Sequence, residues 1–488
     1  MTHTSSRTIP VRNPRTGRTD FDLPVTTAEE VAAKAARLRA NQKAWAALGL
    51  AGRSAVMARW LGEVRQRTAA IAEADAADTG GCHTSYLQGF ITMGNIGGWL
   101  EDAAGALEKA SYRGPSRAMP SVEVRTQFVP YPLCGVIGPW NAPMMLVLLD
   151  AVPALFAGCA VLLKPSEVTP RFTGPLFDSV RVVPELAAVF DVVHGDGETG
   201  RALIDQSDVV CFTGSVPTGR KIALQCAERL IPCYLELGGK DPVIVTANAD
   251  LERATTAVLR GAVHANGMVC FSVERVYVDA AIHDAFVARL VDKARAVRLN
   301  CDNPRAGHVH PFTFAPQAQI VRRHLADAVA KGARILTGGE IETHDGGLYM
   351  RPTVLTDVTH AMQIMQEETF GPCVPVMKFR DVEEAVALAN DTTFGLTASV
   401  IAGTEAEALP IAEQINAGAV FVQDTFLTFA KNRTIGTNSF GHSGVGGGAR
   451  TGPEAILRYV RRKALLTQHG EPADIQNDHH LPKETAKP

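Results

Sequence analysis

A thiol and a carboxylate define the chemistry open to this chain. Cys270 closes the segment Val263-His264-Ala265-Asn266-Gly267-Met268-Val269-Cys270, and Glu236 lies 34 residues upstream (270 − 236) in Leu235-Glu236-Leu237-Gly238-Gly239-Lys240. A thiolate can attack a carbonyl carbon, and a carboxylate can take a proton from the water that later releases the product. Cysteine suits a carbonyl that must then surrender a hydride, because the thiohemiacetal becomes a thioester that still hydrolyses. With an ordinary pKa of about 8.5, a thiol needs a helix N-terminus, a cation or a base to raise its ionised fraction. The turn at Asn266-Gly267 is expected to set Cys270 at the start of a fresh helical turn. Gly138-Pro139-Trp140-Asn141 adds an amide donor, with Asn141 also a candidate helix N-cap. Phe212-Thr213-Gly214-Ser215-Val216-Pro217-Thr218-Gly219 reads as strand, Gly-Ser turn and helix. There a glycine lets the backbone approach a diphosphate, and the helix N-terminus offers free N–H groups.

The elements that must position these groups follow an α/β pattern. Ala28–Ala47 and 53–78 read as two long N-terminal helices, and 122–129 alternates as a half-exposed hairpin strand. Short β-rich runs at 136–137, 160–163, 192–193 and 209–212, separated by helical stretches, imply a doubly wound nucleotide-binding sheet. The pattern restarts after Glu236 with a strand at 242–245, a helix at 251–263 and a strand at 275–278, and a second α/β unit runs to about residue 430. The 488 residues are 46% hydrophobic, enough for more than one core, and the net charge of −3 points to neither nucleic acid nor an anionic membrane. Nine cysteines without CxxC or metal-type spacing imply free thiols in a reducing cytoplasm, with no metal. All but Cys270 read as buried and inert. The apolar stretch 144–163 is broken by Asp150, Pro153 and Gly158, so it reads as a buried helix and strand, not a membrane span.

The four motifs together resemble the aldehyde dehydrogenase superfamily, in its hydrolytic branch, over nearly the whole chain from Val11-Arg12-Asn13-Pro14 to Arg461-Arg462-Lys463-Ala464. The resemblance implies an aldehyde dehydrogenase-like α/β fold with a Rossmann-type domain. It assigns 1–112 and 131–238 to NAD binding, 239–445 to catalysis, 113–130 and 446–475 to bridging and oligomerisation, and 476–488 to a polar tail. It makes Cys270 the nucleophile, Glu236 the general base and Asn141 an oxyanion donor. Glu236 also separates the chain from the acyl-CoA-forming branch, which typically lacks it. The dinucleotide is expected on Ile137, Gly138, Pro139, Trp140, Lys164, Ser166, Glu167, Gly195, Gly200, Phe212, Thr213, Gly214, Ser215, Leu237 and Gly238. Glu368 and Phe370, in Glu367-Glu368-Thr369-Phe370-Gly371-Pro372, are expected at its nicotinamide end. Glu167 would accept from the ribose hydroxyls and repel a 2′-phosphate, favouring NAD, while Lys164 keeps NADP open.

Met145 and Leu149, one and two turns along a helix opened by Asn141, join Val269, Phe271 and Phe440 in an expected apolar substrate pocket. Phe426 and Phe429 are candidates for its entrance. Such a pocket suits an aromatic or apolar aldehyde, and Lys431 and Arg433 leave a semialdehyde as the alternative. Two departures from the family pattern stand out. Met268 occupies a position where many members carry Gln, and the loop Ser439-Phe440-Gly441-His442-Ser443-Gly444 is short, followed by Gly446-Gly447-Gly448. The partners implied are a small aldehyde and further copies of the chain, as a homodimer or homotetramer, with no nucleic acid and no membrane. A catalytically retired member serving as a binding protein is the reading from another class, and the intact Cys270, Glu236 and Asn141 speak against it.

Overall fold

Mostly parallel strands, the central ones buried, organise the molecule into two principal sheets. The computed structural model describes residues 7–472; the polar tail at 476–488 lies outside them. The first sheet has six strands in the order Gly444–Val445, Cys233–Glu236, Val209–Thr213, Leu133–Ile137, Ala160–Lys164 and Phe190–Val192. All neighbours are parallel except Gly444–Val445, which pairs antiparallel with Cys233–Glu236. The chain leaves Leu133–Ile137 in one direction and returns beside it as Val209–Thr213. Their carboxyl ends therefore flank a topological switch point, where α/β sheets bind ligands.

The second sheet has seven strands, in the order Arg334–Thr337, Thr353–Thr356, Cys373–Phe379, Val273–Asp279, Asp241–Val245, Thr397–Ile401 and Ala419–Val422. Glu236 ends a strand of the first sheet and Asp241 opens one of the second, so the Gly238-Gly239 turn joins the two. A three-stranded antiparallel sheet pairs Val460–Gln468 with Val122–Pro130 over nine residues, and Arg113–Pro115 adds the third strand.

Helices cover the first sheet. Helix α1 (Ala28–Ala47) starts on a capping box between Thr27 and Glu30, which satisfies two of its free N–H groups. Helix α2 (Gly49–Thr79) ends at Gly80, whose φ of 75° closes the helix in the left-handed region. A third long helix, α3 (Cys82–Lys109), was not expected from the sequence. Its glycines at 89, 94, 97, 98 and 105 weaken helix propensity, and packing against α2 and the apolar α4 (Pro143–Ala157) overrides them. The α2–α3 contact buries Asp75, which accepts from Ser85 Oγ (2.5 Å) and Gln88 Nε2 (3.1 Å). Burial pushes its carboxyl up to about 7. Three of the cysteines expected to be buried, Cys82, Cys233 and Cys301, are only half-buried.

Candidate active site

The nucleophile segment is a strained connection from a helix to a strand of the second sheet. The helix Leu251–Val263 stops at His264, and Ala265, Asn266 and Gly267 follow with φ of 49°, 60° and 68°. Two non-glycine residues in the left-handed region are costly unless the surroundings hold them. Asn266 is held from both sides: its Oδ1 accepts from the His310 N–H (3.0 Å) and its Nδ2 donates to the His310 carbonyl. A side chain on Gly267 would lie 2.4 Å from the Gly371 carbonyl oxygen, so this position admits only glycine. Cys270 does not open a helical turn. It sits in a tight turn, closed by Ser272 N–H to the Val269 carbonyl (2.9 Å), just before the strand Val273–Asp279. Without a helix dipole, burial and the charges of Glu368 and Asp241 push its thiol up to about 12, against the opposing charge of Arg450.

Asn141 does not cap a helix either, since α4 begins at Pro143 with Ala142 at the cap. Its Nδ2 instead donates to the Met268 carbonyl (2.9 Å), which fixes the amide against the nucleophile turn. The Cys270 N–H has no hydrogen-bond partner among the described residues.

Glu236 stands at the edge of this arrangement. One carboxylate oxygen accepts from Arg458 (3.2 Å) and the other from Ser439 Oγ (2.8 Å). The Gly238-Gly239 pair behind it is a matter of clearance. A Cβ on Gly239 would sit 2.3 Å from the Cys270 carbonyl oxygen, and one on Gly238 would sit 2.6 Å from Glu368 Oε2. Lys240 is structural: buried, it binds Glu274 (2.5 Å) and Thr369 Oγ1 (3.1 Å). Glu274 in turn accepts from the N–H groups of Thr369 and Phe370 and so fixes the Glu367–Pro372 segment.

Two cavities that share Gly138, Phe212 and Thr218 run from the switch point to Cys270. The outer one, about 800 Å³, is lined by Ile137, Lys164, Glu167 and Gly200. The inner one, about 370 Å³, is lined by Pro139, Trp140, Asn141, Ser166, Thr213, Gly214, Ser215, Leu237, Gly238, Glu368, Phe370 and Cys270. Gly195 lines neither; its φ of 148° serves the tight turn into the helix Gly197–Gln206. The helix Val216–Glu228 points its N-terminus into the inner cavity with no side-chain cap, because Ser215 Oγ donates to Thr218 Oγ1. That uncapped terminus fits a dinucleotide diphosphate. Lys164 is buried and bonded to Glu167 (3.4 Å), and burial lowers its pKa. Glu368 accepts from the Gly239 N–H (3.0 Å), and burial together with the charge of Glu274 pushes it up to about 8.

A further cavity of about 310 Å³, the candidate substrate tunnel, lies between α3, α4 and the 429–453 segment, and Cys270 is not among its lining residues. Leu149 and Phe429 line it; Met145 is buried beside it with Ala142 and Leu146. Phe271 packs edge-on against Phe429 at 5.9 Å, and Val269 is half-buried next to the thiol. Phe440 takes no part: it is 41% exposed, paired with Gly395 in a short ribbon. Most of the wall comes from residues that sequence reading missed, namely Ile91, Asn95, Trp99 and Asp102 of α3, and Arg450. The one available signal was Asp150, a carboxylate in an otherwise apolar helix. It binds Arg450 (2.7 Å), whose pKa burial would lower but the charges of Asp150 and Glu236 raise. Arg433 is likewise committed, to Asp102 (2.7 Å) and Glu101.

This chain belongs to the aldehyde dehydrogenase family, whose model matches residues 1–465. It is 36% identical over 464 residues to the "Putative succinate-semialdehyde dehydrogenase" of Mycolicibacterium smegmatis, a name that carries NADP(+), covering 94% of this chain and 88% of that one. Among solved structures it resembles the Putative Aldehyde Dehydrogenase PutA from Anabaena variabilis, with a TM-score of 0.93, 44% identity, and coverage of 96% and 99%. It also resembles betaine aldehyde dehydrogenase from Staphylococcus aureus, solved in complex with NAD+, with a TM-score of 0.89, 26% identity, and coverage of 98% and 94%. The protein is an oxidoreductase acting on aldehydes, with NAD or NADP as its dinucleotide.

Proposed function

We propose that the protein oxidises an aromatic or apolar aldehyde to its carboxylic acid with NAD, through Cys270, Glu236 and Asn141. The observation that carries this reading is the convergence of Cys270, Asn141 and the uncapped Val216–Glu228 terminus on one cavity. The thiol, held up near 12 in the free protein, must give its proton to a base, the role this reading gives to Glu236, whose charge already acts on the thiol. The Cys270 sulfur adds to the aldehyde carbon, and the resulting oxyanion takes hydrogen bonds from the Asn141 amide and the Cys270 N–H. Bound NAD supplies the acceptor for the hydride, which leaves a thioester on Cys270. Glu236, having passed the thiol's proton to solvent, then takes a proton from water as that water attacks the thioester. The C–S bond breaks, the acid departs, and the leaving Cys270 thiolate takes that proton back as the thiol. Before either step, Glu236 must leave Arg458 and Ser439.

The same reading divides the chain into the cofactor, catalytic and bridging segments expected from the sequence, and it makes the protein a cytoplasmic homo-oligomer. Free cysteines and the exposed Leu466 on the nine-residue strand Val460–Gln468 support it. So does the absence, among the described residues, of a helix long and apolar enough to cross a membrane. Preference for NAD rests on the pairing of Lys164 with Glu167, which engages the ammonium beside that carboxylate. Lys221, which lines the same cavity and makes no ion pair among the described residues, is the cation that would favour NADP.

An uncharged substrate is favoured because both arginines of the tunnel are already ion-paired. Lys431 is also occupied: it bonds Thr437, and burial lowers its pKa. The name of the Mycolicibacterium relative favours a semialdehyde instead. Rates of dinucleotide reduction with benzaldehyde, hexanal and succinate semialdehyde, each with NAD and NADP, decide between them. A kcat/KM for succinate semialdehyde above the other two would sink the apolar reading.

A further inference from the structure

Away from the cofactor and the tunnel, a cavity of about 480 Å³ lies between the helices Leu251–Val263 and His283–Arg295, the loop 296–310 and the start of α3. Its floor is apolar, with Leu259, Val263 and Val297. Its remaining wall carries Arg260, His83, His264, Lys293, Arg305 and His308, with no carboxylate among the lining residues. Glu252 and Glu73 neutralise Lys293 and Arg305 from outside. Arg260 makes no ion pair among the described residues and lies over the Phe426 ring at 5.5 Å. Burial, and then the charges of Arg260 and His83, hold His264 down to about 4.

We propose that this cavity binds a small organic anion with an apolar body, its charge on Arg260 and its body on Leu259, Val263 and Val297. A benzene-sized guest fills about 150 Å³, so a benzoate or a medium-chain carboxylate fits with its water. The cavity is wired to the nucleophile by two routes. His264 stacks on Phe426 at 4.5 Å, and Phe426 stacks on Phe271, the neighbour of Cys270, at 4.9 Å. His310, also in the wall, holds Asn266 and with it the strained turn that ends at the thiol. An occupant therefore changes the setting of Cys270 without touching it.

The test titrates the full-length protein calorimetrically with benzoate and, separately, with inorganic phosphate, and follows the rate of Cys270 alkylation by iodoacetamide. Two variants are compared with wild type: Arg260→Gln, which removes the exposed cation, and Ala296→Trp, which fills the cavity from an exposed position. The expected result is one benzoate site per chain, weakened roughly tenfold or more in Arg260→Gln and abolished in Ala296→Trp, with an alkylation rate that responds to benzoate in wild type only. Phosphate should bind more weakly, since it has no body for the floor; equal binding of both anions would overturn the amphipathic assignment. No heat at millimolar benzoate, or binding untouched by both variants and hence located in the tunnel, would overturn the site itself. Aldehyde turnover plays no part in the binding measurement, so failure of the proposed function would leave this result standing.

Discussion

The cavity on the cofactor side of Cys270 and the cavity between α3, α4 and the 429–453 segment are built by different means. The cofactor side is made of strand ends, backbone N–H groups and glycines whose missing side chains provide clearance, as at Gly214, Gly238 and Gly239. The tunnel is made of side chains from α3, α4 and the 429–453 segment, held in place by ion pairs across the chain. A backbone-built site admits few residue types at each position and so leaves a motif. A side chain-built site can be lined in many ways and leaves none.

Several experiments can break or sharpen that contrast. Cys270 lines the cofactor-side cavity, and Cys270→Ala should cost at least about 10⁴-fold in turnover while leaving dinucleotide binding intact in a fluorescence titration. In the free protein the raised thiol pKa means that the thiolate fraction keeps growing through the alkaline range. Alkylation of Cys270 should therefore climb about tenfold per pH unit from about pH 7 to about pH 10. A plateau near pH 8.5 would show that burial does not hold the proton on. Asn141→Ala should lower kcat by about 10²- to 10³-fold with little change in either KM, as expected for a donor used on the oxyanion.

Two glycines then compare the sides directly. Gly238→Ala drives a methyl into Glu368 and should raise the dinucleotide KM roughly tenfold. Gly98→Ala meets only the flexible Arg433 Cδ, at 2.8 Å, and should move the aldehyde KM by roughly threefold and the dinucleotide KM not at all. Crossed effects would mean that the two sides are not independent.

The smallest effect concerns the scaffold of the tunnel. Asp75 binds its proton more tightly folded than unfolded, so its contribution to stability falls as pH rises from about 4 through about 7. The melting temperature should drop by a few degrees across that range in wild type, and by less in Asp75→Asn.

The same division explains what the sequence made legible. The parallel sheets follow from local patterns, because buried β-runs have local causes. Cys270, Asn141 and most of the inner cavity's lining were legible through the motifs of the family resemblance, whereas the outer cavity's Arg201, Lys221, Gln225 and Arg229, on helix faces without a motif, were not. Helix α3 was not, since five glycines mask a helix that exists by packing on α2 and α4. Arg450 and Arg458 were not, because their partners Asp150 and Glu236 lie 300 and 222 residues away (450 − 150; 458 − 236). The helical turn expected at Cys270 is missing for a related reason. The strain at Ala265 and Asn266 is maintained by His310, which only the folded chain brings near.

The mooring of Glu236 also has a consequence for how the enzyme is made. Its antiparallel backbone partner Gly444 and its side-chain partners Ser439 and Arg458 are all made well after Cys270. Arg458 follows Cys270 by 188 positions (458 − 270), roughly 10–40 s of synthesis at about 5–20 residues per second. Through that interval the nascent chain carries the thiol and the carboxylate, but not the clamp that parks the carboxylate.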